Sequence, residues 1–72
     1  MEKYAKGVAE ILGEETTPYN YMNNLWLYNI GRYGYFMQKH GEPIYVTGDG
    51  QEFSCDYTPE EMSIFIRIYF NF

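Results

Sequence analysis

The chain has 72 residues and a formal net charge of −5, which allows one domain, residues 1–72. An acidic chain of this kind is a poor binder of nucleic acid or of an anionic membrane, because both carry charge of the same sign. One cysteine, Cys55, and one histidine, His40, exclude an internal disulfide and are too few for a structural zinc, so no metal or cofactor is expected.

The N-terminal sequence predicts a cytoplasmic protein. Met1-Glu2-Lys3-Tyr4 is not followed by the apolar stretch of a secretion signal, and no apolar run approaches the ~20 residues of a membrane helix. A lone thiol is also typical of a reducing compartment. For a virus-encoded protein the expected compartment is the host cytoplasm.

Residues 2–13 predict a short amphipathic helix that ends at Gly13. Its apolar residues follow the i, i+4, i+7, i+8 spacing of one helical face, namely Tyr4, Val8, Ile11 and Leu12.

Residues 18–30 predict a second, aromatic-rich helix. Thr17 is a suitable N-cap, and Pro18 then takes the first helical position. Gly31 ends the segment, although its tyrosines and asparagines are poor helix formers. Residues 33–38 fit either an irregular continuation of this helix or a strand.

An antiparallel hairpin is predicted around Gly48-Asp49-Gly50, because Asp-Gly favours a type I′ turn with both residues at positive φ. With Asp49-Gly50 at the tip, Val46 lies opposite Phe53, and both face inward. Tyr45 then faces outward, opposite Ser54. Cys55 points inward beside Ile44.

The C-terminal segment has two interpretations. Thr58-Pro59-Glu60-Glu61 forms a capping-box pattern and favours a helix. An alternation of β-branched and aromatic residues also fits a third strand, namely Ile64, Ile66, Ile68, Phe70 and Phe72. The predicted fold is therefore α+β: an N-terminal amphipathic helix, a second aromatic-rich helix, an antiparallel β-hairpin and a C-terminal helix or third strand.

Catalytic patterns are weak throughout the sequence. An inward Cys55 is a small inert hydrophobe, and its pairing with His40 lacks a third group that orients the imidazole. The acidic residues near Asp49 do not match a calcium loop. Gly31-Arg32-Tyr33-Gly34 lacks the basic surroundings of an RNA-clamping loop. We therefore expect no enzymatic activity.

Acidic side chains and tyrosines instead indicate a binding surface. Between residues 41 and 61 there is no lysine or arginine, whereas six acidic residues fall in this stretch. The residues expected to contact a partner are Glu42, Asp49, Glu52, Asp56, Glu60, Glu61, Tyr33, Tyr35 and Tyr45. Carboxylates can occupy a groove built for phosphates while tyrosines serve as anchors.

The sequence therefore predicts a small, non-enzymatic, acidic protein-binding domain. Its expected partner is the basic surface of a nucleic-acid-processing enzyme, which it blocks as phage-encoded DNA mimics and anti-CRISPR proteins do; size and charge alone suggest this analogy. The alternative is a structural subunit that forms a homodimer or larger homo-oligomer through its aromatic and isoleucine-rich C-terminal segment.

Overall fold

The computed structural model describes residues 1–22 and 25–71, and it has the predicted α+β architecture. In the described chain a helix is followed by five strands and a second helix. A single 3₁₀ turn, Gly31–Tyr33, joins the second strand to the third. The elements are α1 (Glu2–Leu12), β1 (Thr16–Met22), β2 (Leu25–Ile30), β3 (Tyr35–Lys39), β4 (Glu42–Val46), β5 (Glu52–Ser54) and α2 (Pro59–Phe70).

The strands form one antiparallel sheet in the order β1-β2-β3-β4-β5, so each strand pairs with the next along the chain. β1 and β2 are paired over nearly their whole length, from Thr16 opposite Ile30 to Met22 opposite Leu25. β2 and β3 share only two residue pairs, Tyr28 with Phe36 and Asn29 with Tyr35. Over the rest of their length β2 and β3 are not paired, and we call the strand pair of residues 16–22 and 25–30 the β-arm.

Both helices pack on the same face of the sheet. Val8 of α1 and Ile66 of α2 are fully buried in one core with Phe36 and Tyr45 of the sheet. The ring of Tyr4 meets that of Phe36 edge-on, with 5.4 Å between centroids. Aromatic contacts of this kind add to the area that they bury, which suits a domain with a small core.

The two predicted terminal helices are confirmed. Gly13 follows α1 in the left-handed conformation, with φ 75°, as a C-terminal glycine should. At the start of α2 the Glu61 N–H donates to Thr58 Oγ1 at 3.2 Å, and the Thr58 N–H donates to Glu61 Oε1 at 3.0 Å. The capping box therefore forms, and Pro59–Phe70 is helical rather than a strand. Phe72, which the strand interpretation included, lies outside the described residues.

The predicted helix over residues 18–30 is wrong, because its described residues form β1 and β2. Tyrosine, tryptophan and asparagine are weak helix formers, and aromatic residues favour strands. Pro18 does not begin a helix; it lies opposite Tyr28 in the edge strand β1, the position in a sheet at which proline is tolerated. Asn23 and Asn24, also part of that prediction, lie outside the described residues. Of the two options for residues 33–38, the strand is confirmed from Tyr35 onward by β3, whereas Tyr33 lies in the 3₁₀ turn.

The β4–β5 hairpin is confirmed, but its register differs from the prediction by one residue. Tyr45 lies opposite Phe53 and Val46 opposite Glu52. The loop has three residues rather than two, since the Thr47 N–H donates to the Gln51 carbonyl at 3.0 Å. Of the two predicted turn residues, only Gly50 has a positive φ, at 87°. A slip of one residue turns every side chain of a strand to the other face of the sheet.

The type I′ signature instead occurs at the turn between β3 and β4. His40 and Gly41 both have positive φ, at 53° and 81°. They join Lys39 to Glu42, which face each other across the two strands. This two-residue turn matches the twist of the strands and sets the register of β3 against β4.

Candidate functional site

The face of the sheet opposite the helices carries an apolar surface. Side chains alternate along each strand, so the neighbours of the core residues Ile30, Phe36 and Tyr45 point away from the helices. This surface, which we call the open face, is centred on Tyr19, Leu27, Tyr35, Met37 and Ile44. Both described helices pack on the opposite face, although Val46, at the hairpin end of β4 on this face, is itself buried.

The composition of the open face is unusual for a solvated sheet. An antiparallel sheet with one covered face normally alternates apolar residues inward with polar residues outward. Tyr19 is 60% exposed, and Tyr35, Met37 and Ile44 are only half-buried. Apolar surface of this kind is a common feature of interaction sites in other proteins.

The β-arm carries further exposed apolar and aromatic side chains. Residues 16–30 contain no charged side chain. Tyr21 is 59% exposed, and Met22 and Trp26 are exposed as well. Trp26 follows the alternation of the covered face, yet it is 43% exposed. Both faces of the arm therefore present aromatic and apolar groups.

Carboxylates surround a shallow cavity at the β5 edge of the open face. The cavity has a volume of about 320 Å³, and its acidic lining residues are Glu42, Glu52 and Asp56. Lys39 Nζ lies 3.1 and 3.2 Å from the two carboxylate oxygens of Glu52 and compensates its charge. Ser54 Oγ donates to Asp56 Oδ2 at 3.0 Å and fixes that carboxylate. Glu42 and Asp56 thus give the cavity its net negative charge.

The other acidic residues predicted to bind a partner lie at two separate places. Glu60 and Glu61 are in the first turn of α2, and the Glu61 carboxylate is engaged in the capping box. Asp49 lies at the tip of the β4–β5 hairpin, where Thr47 Oγ1 donates to its carboxylate. This hydrogen bond holds the pKa of Asp49 below its usual value. The six carboxylates are therefore not one patch, and the cavity brings together three of them.

The three predicted tyrosines have different environments. Tyr35 lies on the open face. Tyr33 is half-buried in the 3₁₀ turn, with its ring 5.2 Å from that of Phe70 in an edge-to-face contact. Tyr45 is fully buried, which corrects its predicted surface position. Its hydroxyl donates to the Tyr33 carbonyl, and burial raises the pKa of the phenol.

The sequence interpretation missed the centre of the open face. Tyr19 and Leu27 were assigned to a helix, Met37 was left between helix and strand, and Ile44 was placed inside by the slipped register. Residues 35–39 are Tyr-Phe-Met-Gln-Lys, three apolar residues followed by two polar ones, so the sequence offers no period-two pattern that would separate the open face from the core.

The groups examined for chemistry occupy ordinary structural positions. Cys55 is buried in the core, where desolvation, with a smaller contribution from Asp56, raises the pKa of its thiol to about 12. A thiol with that pKa holds almost no thiolate at neutral pH. His40 is exposed in the β3–β4 turn. Within residues 1–22 and 25–71, no three histidine, cysteine or acidic side chains converge as metal ligands.

Comparison with known proteins found no match: no protein-family model, no curated protein and no solved structure is significantly similar to this chain. Neither helix in the described ranges has the length and hydrophobicity needed to cross a bilayer. The class that the fold and the surface define is a small α+β domain with one covered and one open sheet face.

Proposed function

We propose that this protein is a small non-enzymatic binding domain that docks through its open face onto a basic protein surface. The observation that carries the proposal is the position of the helices. Both α1 and α2 cover the same face, so Tyr19, Tyr35 and Met37 on the other face are left for a partner.

The charge of the open face favours a basic partner. Glu42 and Asp56 lie beside the apolar centre, so a partner that packs on Ile44 meets carboxylates at the rim. A net charge of −5 adds a long-range attraction for a positive surface and accelerates the encounter. Aromatic and apolar side chains at the centre then supply most of the affinity.

A nucleic-acid-processing enzyme of the host cytoplasm is the proposed partner, because its substrate groove is basic by necessity. A bound acidic domain would occupy that groove and inhibit the enzyme. This is the way in which phage-encoded DNA mimics and anti-CRISPR proteins act, and size and charge are the basis of the analogy.

The test is affinity capture from a bacterial lysate with the tagged protein, followed by mass spectrometry and by binding of the purified partner. Capture at about 0.05 M salt and loss at about 0.5 M are expected, because screening weakens attraction between exposed charges. The purified partner should also release its nucleic acid when the protein is added.

Two double variants distinguish a direct contact of the acidic rim from a general effect of net charge on affinity. Glu42→Lys combined with Asp56→Lys should weaken binding by about a hundredfold or more, because both carboxylates become repulsive. Glu2→Lys combined with Glu10→Lys changes the net charge equally at exposed positions on α1, which packs on the opposite face of the sheet. Equal affinity of the two double variants would exclude the acidic rim as the contact.

Self-association through α2 is a second candidate function. Ile64 and Ile68 lie four residues apart on the outward side of α2 and are 57% and 54% exposed. Two copies that pack these isoleucines together would remove them from water. Light scattering at micromolar concentration should then show a dimer that Ile68→Lys dissociates. A monomer at this concentration would exclude this function and leave the open-face proposal intact.

A further inference from the structure

Two of the five basic residues of the chain line one cavity, although they are far apart in sequence. Arg32 comes from the 3₁₀ turn after β2, and Arg67 comes from the last turn of α2. The cavity has a volume of about 370 Å³ and is completed by Tyr33, Phe70 and Asn71. It shares no residue with the open face or with the acidic cavity.

The arginine side chains are both held in place. Arg32 Nη2 donates to Tyr33 Oη at 3.0 Å, and its guanidinium carbon lies 5.1 Å from the centre of that ring. Arg67 Nη2 donates to the Ile11 carbonyl at 2.9 Å, at the end of α1. A guanidinium has five N–H donors, so most donors of each arginine remain available to a ligand.

The aromatic wall of the cavity is also fixed. Tyr33 packs edge-to-face on Phe70, and its carbonyl accepts the hydrogen bond of the buried Tyr45 hydroxyl. The Ile30 N–H donates to the Gly34 carbonyl at 2.9 Å and closes the turn that carries Arg32. The cavity therefore belongs to the folded body of the domain.

Two of the lysines form ion pairs with carboxylates, whereas in the described part of the chain these two arginines do not. Lys6 lies 3.4 Å from Glu2, and Lys39 lies 3.1 Å from Glu52. Among the residues that the structure describes, neither Arg32 nor Arg67 has a carboxylate within 4.0 Å. Glu14 is close enough for a weaker electrostatic attraction to Arg32. Two adjacent positive charges on an otherwise acidic protein thus face one cavity.

We propose that this cavity binds a small phosphate monoester. The phosphate lies between Arg32 and Arg67, because the planar fork of a guanidinium matches phosphate oxygens and two guanidiniums balance a doubly charged group. The organic part of the ester lies against the rings of Tyr33 and Phe70. The volume of the cavity is within the range of small-molecule sites.

The experiment is an NMR titration of the purified, ¹⁵N-labelled full chain with inorganic phosphate at constant ionic strength. The arginine Nε–Hε signals should shift and saturate, with a dissociation constant on the order of 1 mM for a site this open. Adenosine monophosphate should bind more tightly than inorganic phosphate if its organic part contacts the aromatic wall. Equal affinity of the two probes would overturn that contact.

Charge-matched variants test whether the site is specific. Arg32→Gln should weaken phosphate binding by roughly tenfold or more, because it removes one fork of donors. Lys3→Gln removes the same charge at an exposed position on α1 and should leave the affinity unchanged. Arg67→Gln is a second variant, and the amide spectrum checks that its fold survives the loss of the bond to Ile11.

Removing a neighbouring negative charge should strengthen phosphate binding instead of weakening it. Glu14→Gln should tighten phosphate binding about threefold, since it removes a negative charge near Arg32. Glu10→Gln is the control and should leave the affinity for phosphate unchanged. The proposal is overturned if no signal saturates, or if Arg32→Gln and Lys3→Gln weaken binding equally.

Discussion

The two faces of the sheet contain similar side chains but differ in whether the helices cover them. Phe36 and Met37 are neighbours on β3, and they point to opposite faces. Phe36 is 0% exposed beneath the helices, whereas Met37 is half-buried on the face that neither helix covers. An apolar residue in a strand is therefore not in itself evidence of a core. The helices determine which face forms the core and which face they leave uncovered.

The largest expected effect comes from changing these two neighbours separately. Phe36→Ala should lower the free energy of unfolding by about 3–5 kcal/mol, because it removes a buried ring and leaves a cavity. Met37→Ala should lower it by less, about 1–2 kcal/mol, since that side chain is only half-buried and its removal leaves no cavity beneath the helices. Urea denaturation monitored by circular dichroism measures both. Similar losses would show that the open face is covered in solution.

A second pair compares two buried tyrosine hydroxyls on the covered face. Tyr45→Phe should cost about 1 kcal/mol, because the Tyr33 carbonyl loses its donor. Tyr4 Oη is buried and finds no hydrogen-bond partner in the described chain. Tyr4→Phe should therefore stabilise the protein by up to about 1 kcal/mol. The same denaturation assay applies, and a loss for Tyr4→Phe would reveal a partner for that hydroxyl.

A change on the open face should affect binding but not stability. Tyr19→Ser should alter the free energy of unfolding by less than about 0.5 kcal/mol, because the side chain is mostly exposed. Its affinity for the captured partner should fall about tenfold or more, as expected for an aromatic anchor. Tyr57→Ser is the control: Tyr57 is also exposed but lies after β5, outside the open face. Equal losses of affinity would contradict the assignment of the surface.

The smallest expected effect is the pH response of Asp49. The Thr47 hydroxyl lowers the pKa of this carboxyl in the folded protein, so its contribution to stability is present above the unfolded pKa and disappears as the pH falls through the folded pKa. The relevant window therefore lies below about pH 4. Carbon-detected NMR titration of the Asp49 carboxyl should give a higher pKa in Thr47→Val. An unchanged pKa would show that another group causes the shift.

Local signals in the sequence were sufficient for both helices. The Thr58-Pro59-Glu60-Glu61 pattern and Gly13 each specify an end of a helix through hydrogen bonds or backbone conformation within a few residues. The hairpin at Gly48-Asp49-Gly50 could also be located. Its register could not, because Tyr45 and its neighbours Ile44 and Val46 are all apolar. The alternation of apolar and polar residues that normally fixes a register was therefore absent on β4.

Apolar residues on both faces of a strand also explain why a helix was wrongly predicted over residues 18–30. Met22, Trp26 and Ile30 are spaced as on one helical face, yet the β-arm carries apolar groups on both of its faces, so that spacing does not distinguish a helix from a strand.

The acidic cavity depends on pairing between β4 and β5, which brings Glu42 and Glu52 to the same cavity. Composition predicted an acidic surface, but the topology of the sheet decides which three of the six carboxylates line one cavity.

Pro18 has a consequence for the behaviour of the protein at high concentration. β1 is an uncharged, aromatic edge strand, and a regular strand of this kind would recruit further copies into growing sheets and fibrils. Pro18 removes one of its N–H donors, and the pairing irregularity between Asn20 and Met22 breaks the even spacing of the rest. The β-arm can therefore keep its aromatic side chains exposed while its backbone remains a poor template for aggregation.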